Sequence, residues 1–277
     1  MPFTLASKTA LVTGAGRGIG RAIAVTLAEY GASVMVNDLD AGPAYETETS
    51  IRIAGGSAAS FPGDITDPAL PQRMVDAAIE RFGSLDIIVN NAGYTWDNVI
   101  QKMTDEQFQT MLNVHLAAPF RILRAASAWL RETAKRETAE GRRVMRKVVN
   151  ITSVAGIDGG AGQAAYSSAK AGVIGLTKTL AKEWGRYNVN VNVVGFGIVE
   201  TRLVRAITPD GAAAIEVHGR KIPVGAQQKT LDWAKAACPL GRLGTPEEAA
   251  NAVLFFCSPL SDYVTGEVLL CGGGLHF

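Results

Sequence analysis

Cysteine and histidine are scarce, three of each in 277 residues. Cys238, Cys257 and Cys271 are widely scattered, form no CxxC pair and have no histidine ligands beside them. Neither a zinc site nor a disulfide framework is suggested, and no metal is expected. The thiols are read as reduced, as in a cytoplasmic protein. No apolar run is long enough to span a bilayer, and residues 1–8 lack the basic stretch and long apolar run of a signal peptide. The net charge is only +1, which gives no global pull toward nucleic acid or an anionic membrane. There is no basic stripe or nucleic-acid motif either. What the chain does have is 30 glycines and a composition that is 47% hydrophobic, suited to a buried core with many tight turns.

Short apolar runs alternate with longer amphipathic stretches. Residues 9–12, 33–37, 57–62, 86–89, 147–151, 190–194 and 267–270 read as strands, and 19–30 as the first helix. Near-continuous apolar strands fit a parallel sheet covered on both faces. Right-handed strand–helix–strand crossovers then give an α/β, doubly wound, Rossmann-type sandwich. No repeat or Pro/Ser-rich linker divides the chain, so residues 1–277 are read as one dinucleotide-binding catalytic domain. Two stretches look like additions. Residues 131–146 (RETAKRETAEGRRVMR) are charged and apolar-poor, and most simply extend an exposed helix and its loop. Residues 202–240 form a long excursion of the kind that often serves as a substrate lid. In it, Ile207, Ile215, Val217, Ile222, Val224, Leu231 and Trp233 could cover an apolar substrate, or pack a fixed helical hairpin or a subunit interface. Arg205, Arg220, Lys221 and Lys229 could meet phosphates.

Between the first strand and helix lies Thr13-Gly14-Ala15-Gly16-Arg17-Gly18-Ile19-Gly20. Backbone N–H groups at such a helix start can face a pyrophosphate, and glycines let it approach the main chain. The acid ending the next strand, Asp38, can accept the ribose hydroxyls of NAD and repel the extra phosphate of NADP; alone, it could merely begin a turn. Arg17 pulls toward NADP, since a guanidinium can pair with a 2′-phosphate. Asp64 could accept from an adenine amino group, or be a turn residue. Downstream, Tyr166 and Lys170 are four apart and share a helix face. A free tyrosine, with a pKa of about 10, is a poor base at neutral pH; a nearby ammonium would favour tyrosinate. Ser153 follows a strand, where its hydroxyl could hold a substrate oxygen.

The order of these motifs resembles the short-chain dehydrogenase/reductase family over nearly the whole chain. The matching segments are TGAGRGIG at 13–20, NNAG at 90–93, Ser153, YSSAK at 166–170, PLGRLGTPEEAA at 239–250 and YVTGEVLLCGGG at 263–274. The resemblance implies Tyr166 as general acid/base, Ser153 as orienter of the substrate oxygen, and Lys170 binding the nicotinamide ribose and lowering the tyrosine pKa. It places Gly14, Arg17, Gly18, Ile19 and Gly20 at the cofactor phosphates and Asp64 and Ile65 near adenine. Asn91, Ala92 and Gly93 fall near the ribose, and Val199 and Thr201 at the carboxamide. Two departures stand out. Where the family commonly has a proton-relay asparagine, this chain has His115, which could serve the relay or be a buried histidine bonded to a backbone carbonyl. Phe196 replaces the usual proline before Gly197.

Within the family, the chain is most similar to 3-oxoacyl-thioester reductases and (3R)-hydroxyacyl-CoA dehydrogenases. The implied reaction interconverts a secondary alcohol and a ketone, on a 3-hydroxyacyl/3-oxoacyl thioester. Acyl-carrier-protein reductases of the family generally use NADPH, so Asp38, which points to NAD, argues against a biosynthetic role. The alternatives are a steroid or other bulky secondary-alcohol dehydrogenase and, more remotely, a non-catalytic NAD-binding regulator. The resemblance also implies a homotetramer, with a dimer left open.

Overall fold

The computed structural model describes residues 3–204, 213–217 and 219–276. The chain runs β1 (Thr9–Val12), α1 (Gly18–Glu29), β2 (Ser33–Val36), α2 (Ala41–Ile53), β3 (Ser57–Ser60), α3 (Leu70–Phe82) and β4 (Ile87–Asn90). It continues through α4 (Asp105–Leu112), a π-helical turn (Asn113–Ala117), α5 (Ala118–Ala139), β5 (Arg146–Ser153), α6 (Ala155–Asp158), α7 (Ala164–Trp184) and β6 (Val189–Phe196). Then follow β7 (Ala213–Val217), β8 (Arg220–Val224), α8 (Gln228–Ala237), α9 (Pro246–Cys257) and β9 (Val268–Cys271). Seven strands form one parallel sheet in the order β3-β2-β1-β4-β5-β6-β9. Every strand read from the sequence is present, with ends shifted by a residue or two.

Successive residues of a strand face opposite sides, and here both sides are buried. Ala10, Val12, Val34, Val36, Val89 and Val194 pack under α1, α2 and α9, against Ile23, Leu27, Ile51 and Val253. Leu11, Met35, Ile88, Val148 and Val191 pack under α3, α5 and α7, against Met74, Ile122, Leu123 and Trp184. That double burial is why the strands read as continuous apolar runs. The chain winds outward from β1 to β3, then returns to β4 on the other side of β1. The C-terminal ends of β1 and β4 therefore diverge at a switch point, where open α/β sheets leave a crevice.

Both stretches read as additions have more structure than the sequence suggested. Residues 131–146 do extend α5, but not as a wholly exposed segment. Glu137 and Arg146 are buried and form a two-pronged ion pair at 2.7 and 2.8 Å, with Asp86 3.5 Å from the Arg146 Nε. Within 202–240, β7 and β8 make an antiparallel hairpin whose Ile215, Val217, Ile222 and Val224 are buried against one another and against Tyr94 and Trp96. Leu231 of α8 is buried with Ala234 and Leu243, while Trp233 is half exposed. These side chains are thus engaged within the protein. Arg220 pairs with Glu106 at 2.8 Å and stacks on Trp96, whereas Lys221 and Lys229 are exposed. Arg205 and Ile207 lie outside the described residues.

Candidate functional site

The glycine turn after β1 is stitched to the loop after β4. The Thr13 hydroxyl accepts the backbone N–H groups of Asn91 and Ala92, each at 3.1 Å. In return the Asn91 amide donates to the carbonyls of Thr13 (2.9 Å) and Gly14 (3.2 Å). Asn91 lines the crevice with Ala92 and Gly93, but its amide is committed to shaping the turn rather than left for a ribose. A Cβ at Gly20 would lie 2.0 Å from the Gly14 carbonyl oxygen and 2.4 Å from the Asn91 amide, so only glycine permits this packing. Gly18, at φ +53°, opens α1 toward Thr201, whose methyl would be 3.5 Å from an added Cβ. Helix α1 has no side-chain cap and no acid in its first turn. Its first N–H groups therefore face the crevice without an internal anion, as a pyrophosphate cradle requires. Gly14, Arg17, Ile19 and Gly20 line the same crevice, so the residues present fit a dinucleotide.

At the end of β2, Asp38 is partly buried and turned toward this cradle. One carboxylate oxygen accepts the Gly16 N–H at 2.9 Å, and the other accepts the Asp40 N–H at 3.1 Å. Arg17 is not free, as its position in the sequence implied: its guanidinium is 2.5 Å from the Asp40 carboxylate. Asp64 accepts both the N–H and the hydroxyl of Thr66 at 2.8 Å, the local pattern of a turn residue. With Ile65 it forms the far wall of the crevice.

The second half of the site is built on β5 and α7. Ser153 is the last residue of β5, and its oxygen accepts the Ala155 N–H at 3.2 Å. Tyr166 lies in the first turn of α7, with Lys170 one turn on. The Lys170 ammonium donates to the Ile151 carbonyl at 2.8 Å and stands 5.7 Å from the centre of the Tyr166 ring. The Thr152 hydroxyl donates to the Lys170 carbonyl, fixing the helix against the strand. Burial pushes the Tyr166 phenol up to about 12; the Ser153 hydroxyl draws it down and the Asp97 carboxylate raises it. Burial also lowers Lys170 to about 7. In this structure burial outweighs the Ser153 hydrogen bond, so the phenol is raised overall rather than lowered. Tyr166 is held as a phenol.

His115 sits in the π-helical turn between α4 and α5. Pro119 accounts for that turn: it has no N–H, and its ring crowds the carbonyl four residues back, that of His115. The helix widens instead, with the Ala118 N–H reaching the Asn113 carbonyl. His115 Nε2 bonds the Tyr94 carbonyl at 2.7 Å, and the imidazole meets the Tyr166 ring edge-on at 5.0 Å. Burial and the charge of Lys170 lower its pKa well below the ordinary histidine range, against a raising effect of the Tyr94 carbonyl. A carbonyl can only accept, so Nε2 carries the proton of the neutral ring. Nδ1 is left as a buried acceptor with no hydrogen-bond partner among the described residues. The two sequence readings of His115 thus coexist: it bonds a backbone carbonyl and also stands beside Tyr166.

Val199 pairs in parallel with Gly244, and the Val199–Thr201 segment closes the crevice opposite Gly18. Gly14, Asp38, Asp64, Asn91, His115, Ser153, Tyr166, Lys170, Val199 and Thr201 line one cleft of about 1220 Å³. The β7–β8 hairpin walls its far end through Ala214, Ile215, Glu216 and Val217. Sequence reasoning missed the Thr13–Asn91 clamp and the Asp97–Gln163 bond (2.8 Å) that ties the loop after β4 to the start of α7. Pro119 was the available signal for the π-helical turn. Among the described residues no group of three or more His, Cys, Asp or Glu is placed to hold a metal ion, and no helix is long and apolar enough to cross a membrane.

A family model described as Enoyl-(Acyl carrier protein) reductase matches residues 14–276. The chain is 37% identical over 274 residues to the 3-oxoacyl-(acyl-carrier-protein) reductase FabG of Vibrio cholerae, covering 99% of each chain. It is 38% identical over 272 residues to the enzyme of that name from Escherichia coli, covering 97% of each. To the one from Thermotoga maritima it is 33% identical over 271 residues, covering 98% of each. The chain belongs to the short-chain dehydrogenase/reductase family, and it is an oxidoreductase that takes a nicotinamide cofactor and acts between an alcohol and a ketone.

Proposed function

We propose that the protein interconverts 3-oxoacyl and 3-hydroxyacyl thioesters with NAD(H), using Tyr166 as the proton donor and acceptor. The observation that carries this reading is the single cleft that joins the glycine cradle and Asp38 at one end to Tyr166, flanked by Ser153, Lys170 and His115, at the other. The similarity to 3-oxoacyl-thioester reductases supports the substrate class. NAD is favoured over NADP by Asp38, a carboxylate at the ribose end of the cradle, while the nearby Arg17 is engaged by Asp40.

The nicotinamide cofactor, when bound, supplies the hydride. The protein's own part is positioning and proton transfer. Ser153 Oγ, fixed at the end of β5, donates to the substrate carbonyl oxygen. Tyr166 Oη, held protonated by burial, gives its proton to that oxygen as the alcohol forms, and takes it back in the reverse direction. Lys170, with a pKa near 7, can pass a proton at neutral pH, and the unpartnered Nδ1 of His115 gives a second acceptor next to the phenol. Exposed Leu260, Tyr263 and Leu270 around the edge strand β9 support a homotetramer, and three unpaired thiols suit a reducing, cytoplasmic setting.

The test is a spectrophotometric screen of NADH oxidation across 3-oxoacyl-thioester chain lengths, with steroid ketones as the contrasting class. The thioesters should turn over; turnover confined to steroid ketones would overturn the substrate class. Tyr166→Phe should reduce turnover at least about a hundredfold, the scale of a general acid/base, with NADH binding retained. Near-normal turnover in that variant would remove Tyr166 from the role.

A further inference from the structure

Arg17 and Asp40 meet across the mouth of the cofactor cradle. Each occupies the residue just before a helix, Arg17 before α1 and Asp40 before α2. An aspartate there ordinarily accepts a backbone N–H of its own helix, which stabilises the helix by about 1 kcal/mol. Asp40 makes no such bond. Its carboxylate reaches the Arg17 guanidinium at 2.5 Å instead, while its own N–H donates to Asp38. Asp38 in turn accepts the Gly16 N–H, one residue before Arg17. Two acids, two residues apart, thus do different work on the same spot. One presents charge to the ribose position, and the other engages the nearest cation. Arg17, Asp38 and Asp40 all line the cleft.

We propose that Asp40 is a specificity-determining residue for the cofactor: it sequesters Arg17, the guanidinium next to the Gly16 N–H that Asp38 accepts. This rests on the reading that Asp38 selects NAD, and deepens it. Asp38 rejects the 2′-phosphate by repulsion, while Asp40 withholds the attraction that could compensate. Removing Asp38 alone leaves Arg17 engaged, so it does not suffice to admit NADP. Removing both acids releases the guanidinium.

The experiment is direct titration of the purified protein with NADH and with NADPH, read by reduced-nicotinamide fluorescence, so that no turnover is needed. Asparagine is as good as aspartate at a helix start, so Asp40→Asn should leave the melting temperature unchanged. Wild type should bind NADH more tightly, and Asp38→Asn should narrow that preference. Adding Asp40→Asn to Asp38→Asn should tighten NADPH by a further tenfold or so, the scale of a charged hydrogen bond, with NADH affinity held. Arg17→Ala in the double variant should abolish the gain. A double variant that binds NADPH no better than Asp38→Asn, or a gain that survives loss of Arg17, overturns the role of Asp40 while the NAD reading stands. A wild-type protein that already prefers NADPH overturns that reading, and this inference with it.

Discussion

Replacing Lys170 with methionine should make the protein more stable at neutral pH while destroying its turnover. Burial holds the lysine near pKa 7 against an ordinary 10.5. At ~1.36 kcal/mol per pH unit, that gap corresponds to about 5 kcal/mol of folding free energy at pH values below both. The sign follows from proton counting. Between pH 7 and 10.5 the unfolded chain binds more protons at this site than the native one, so stability rises with pH through that window. At pH 7 the wild-type penalty is ~4 kcal/mol, falling to ~2 kcal/mol at pH 9. Methionine removes the penalty but leaves the Ile151 carbonyl, now bonded at 2.8 Å, without a donor, costing about 1–3 kcal/mol. Lys170→Met should therefore be about 1–3 kcal/mol more stable than wild type at pH 7 and nearly equal to it at pH 9. Tyr166, near 12, stays protonated throughout and does not confuse the comparison. Urea unfolding of both proteins at the two pH values, at one protein concentration, measures the difference. A stability gap that is the same at both would refute a buried ammonium whose charge the fold disfavours.

Two further substitutions probe the frame around the site. Gly20→Ala puts a methyl 2.0 Å from a carbonyl oxygen of the cradle and should weaken NADH binding at least about fivefold, the low end of the ~1–3 kcal/mol expected of overpacking; an unchanged titration would show that the turn yields. Arg146→Met leaves the buried Glu137 carboxylate without its two-pronged partner and should cost about 3–5 kcal/mol in urea unfolding. Adding Glu137→Leu should recover much of that loss, and a double variant no more stable than the single would show that the pair is not what holds that end of α5.

The sheet was legible because burial on both faces leaves a one-dimensional trace: a run such as Ile87-Ile88-Val89 has no polar side to show. The cleft residues were legible as motifs, since a glycine cradle and a Tyr-x-x-x-Lys pair have fixed spacing. What could not be read was which partners those residues take. Charge composition made residues 131–146 look exposed, because it does not say which charged residue faces inward. Leu130, Thr133, Ala134 and Glu137 lie at helical spacing on one buried face of α5, and Glu137 belongs to that face because Arg146 waits there. The β7–β8 hairpin had a signal that the lid reading passed over. Ile215 and Val217, then Ile222 and Val224, alternate with period two around Gly219. Arg17 looked like a free cation because its partner, Asp40, lies in another loop.

The polar groups inside the sheet explain how a cleft assembled from distant loops keeps its geometry. The Asn91 amide donates to the Gly14 carbonyl; the neighbouring Asn90 donates to Asn150 at 2.8 Å, and Asn150 to Thr177 at 2.9 Å. Thr177 is seven residues after Lys170, two turns along the same face of α7. The chain of contacts therefore starts at the cofactor turn, crosses β4 and β5, and ends on the helix that carries Tyr166 and Lys170. Apolar packing could hold these strands together, but it is non-directional and tolerates sliding. A buried amide is satisfied in only one register, and leaving it unpaired costs about 1–3 kcal/mol. Asn90, Asn150 and Thr177 are almost completely buried, amid strands that are otherwise largely apolar. Their use at these positions is best understood as fixing the distance between the cradle and the phenol, to which the direction of proton delivery is tied.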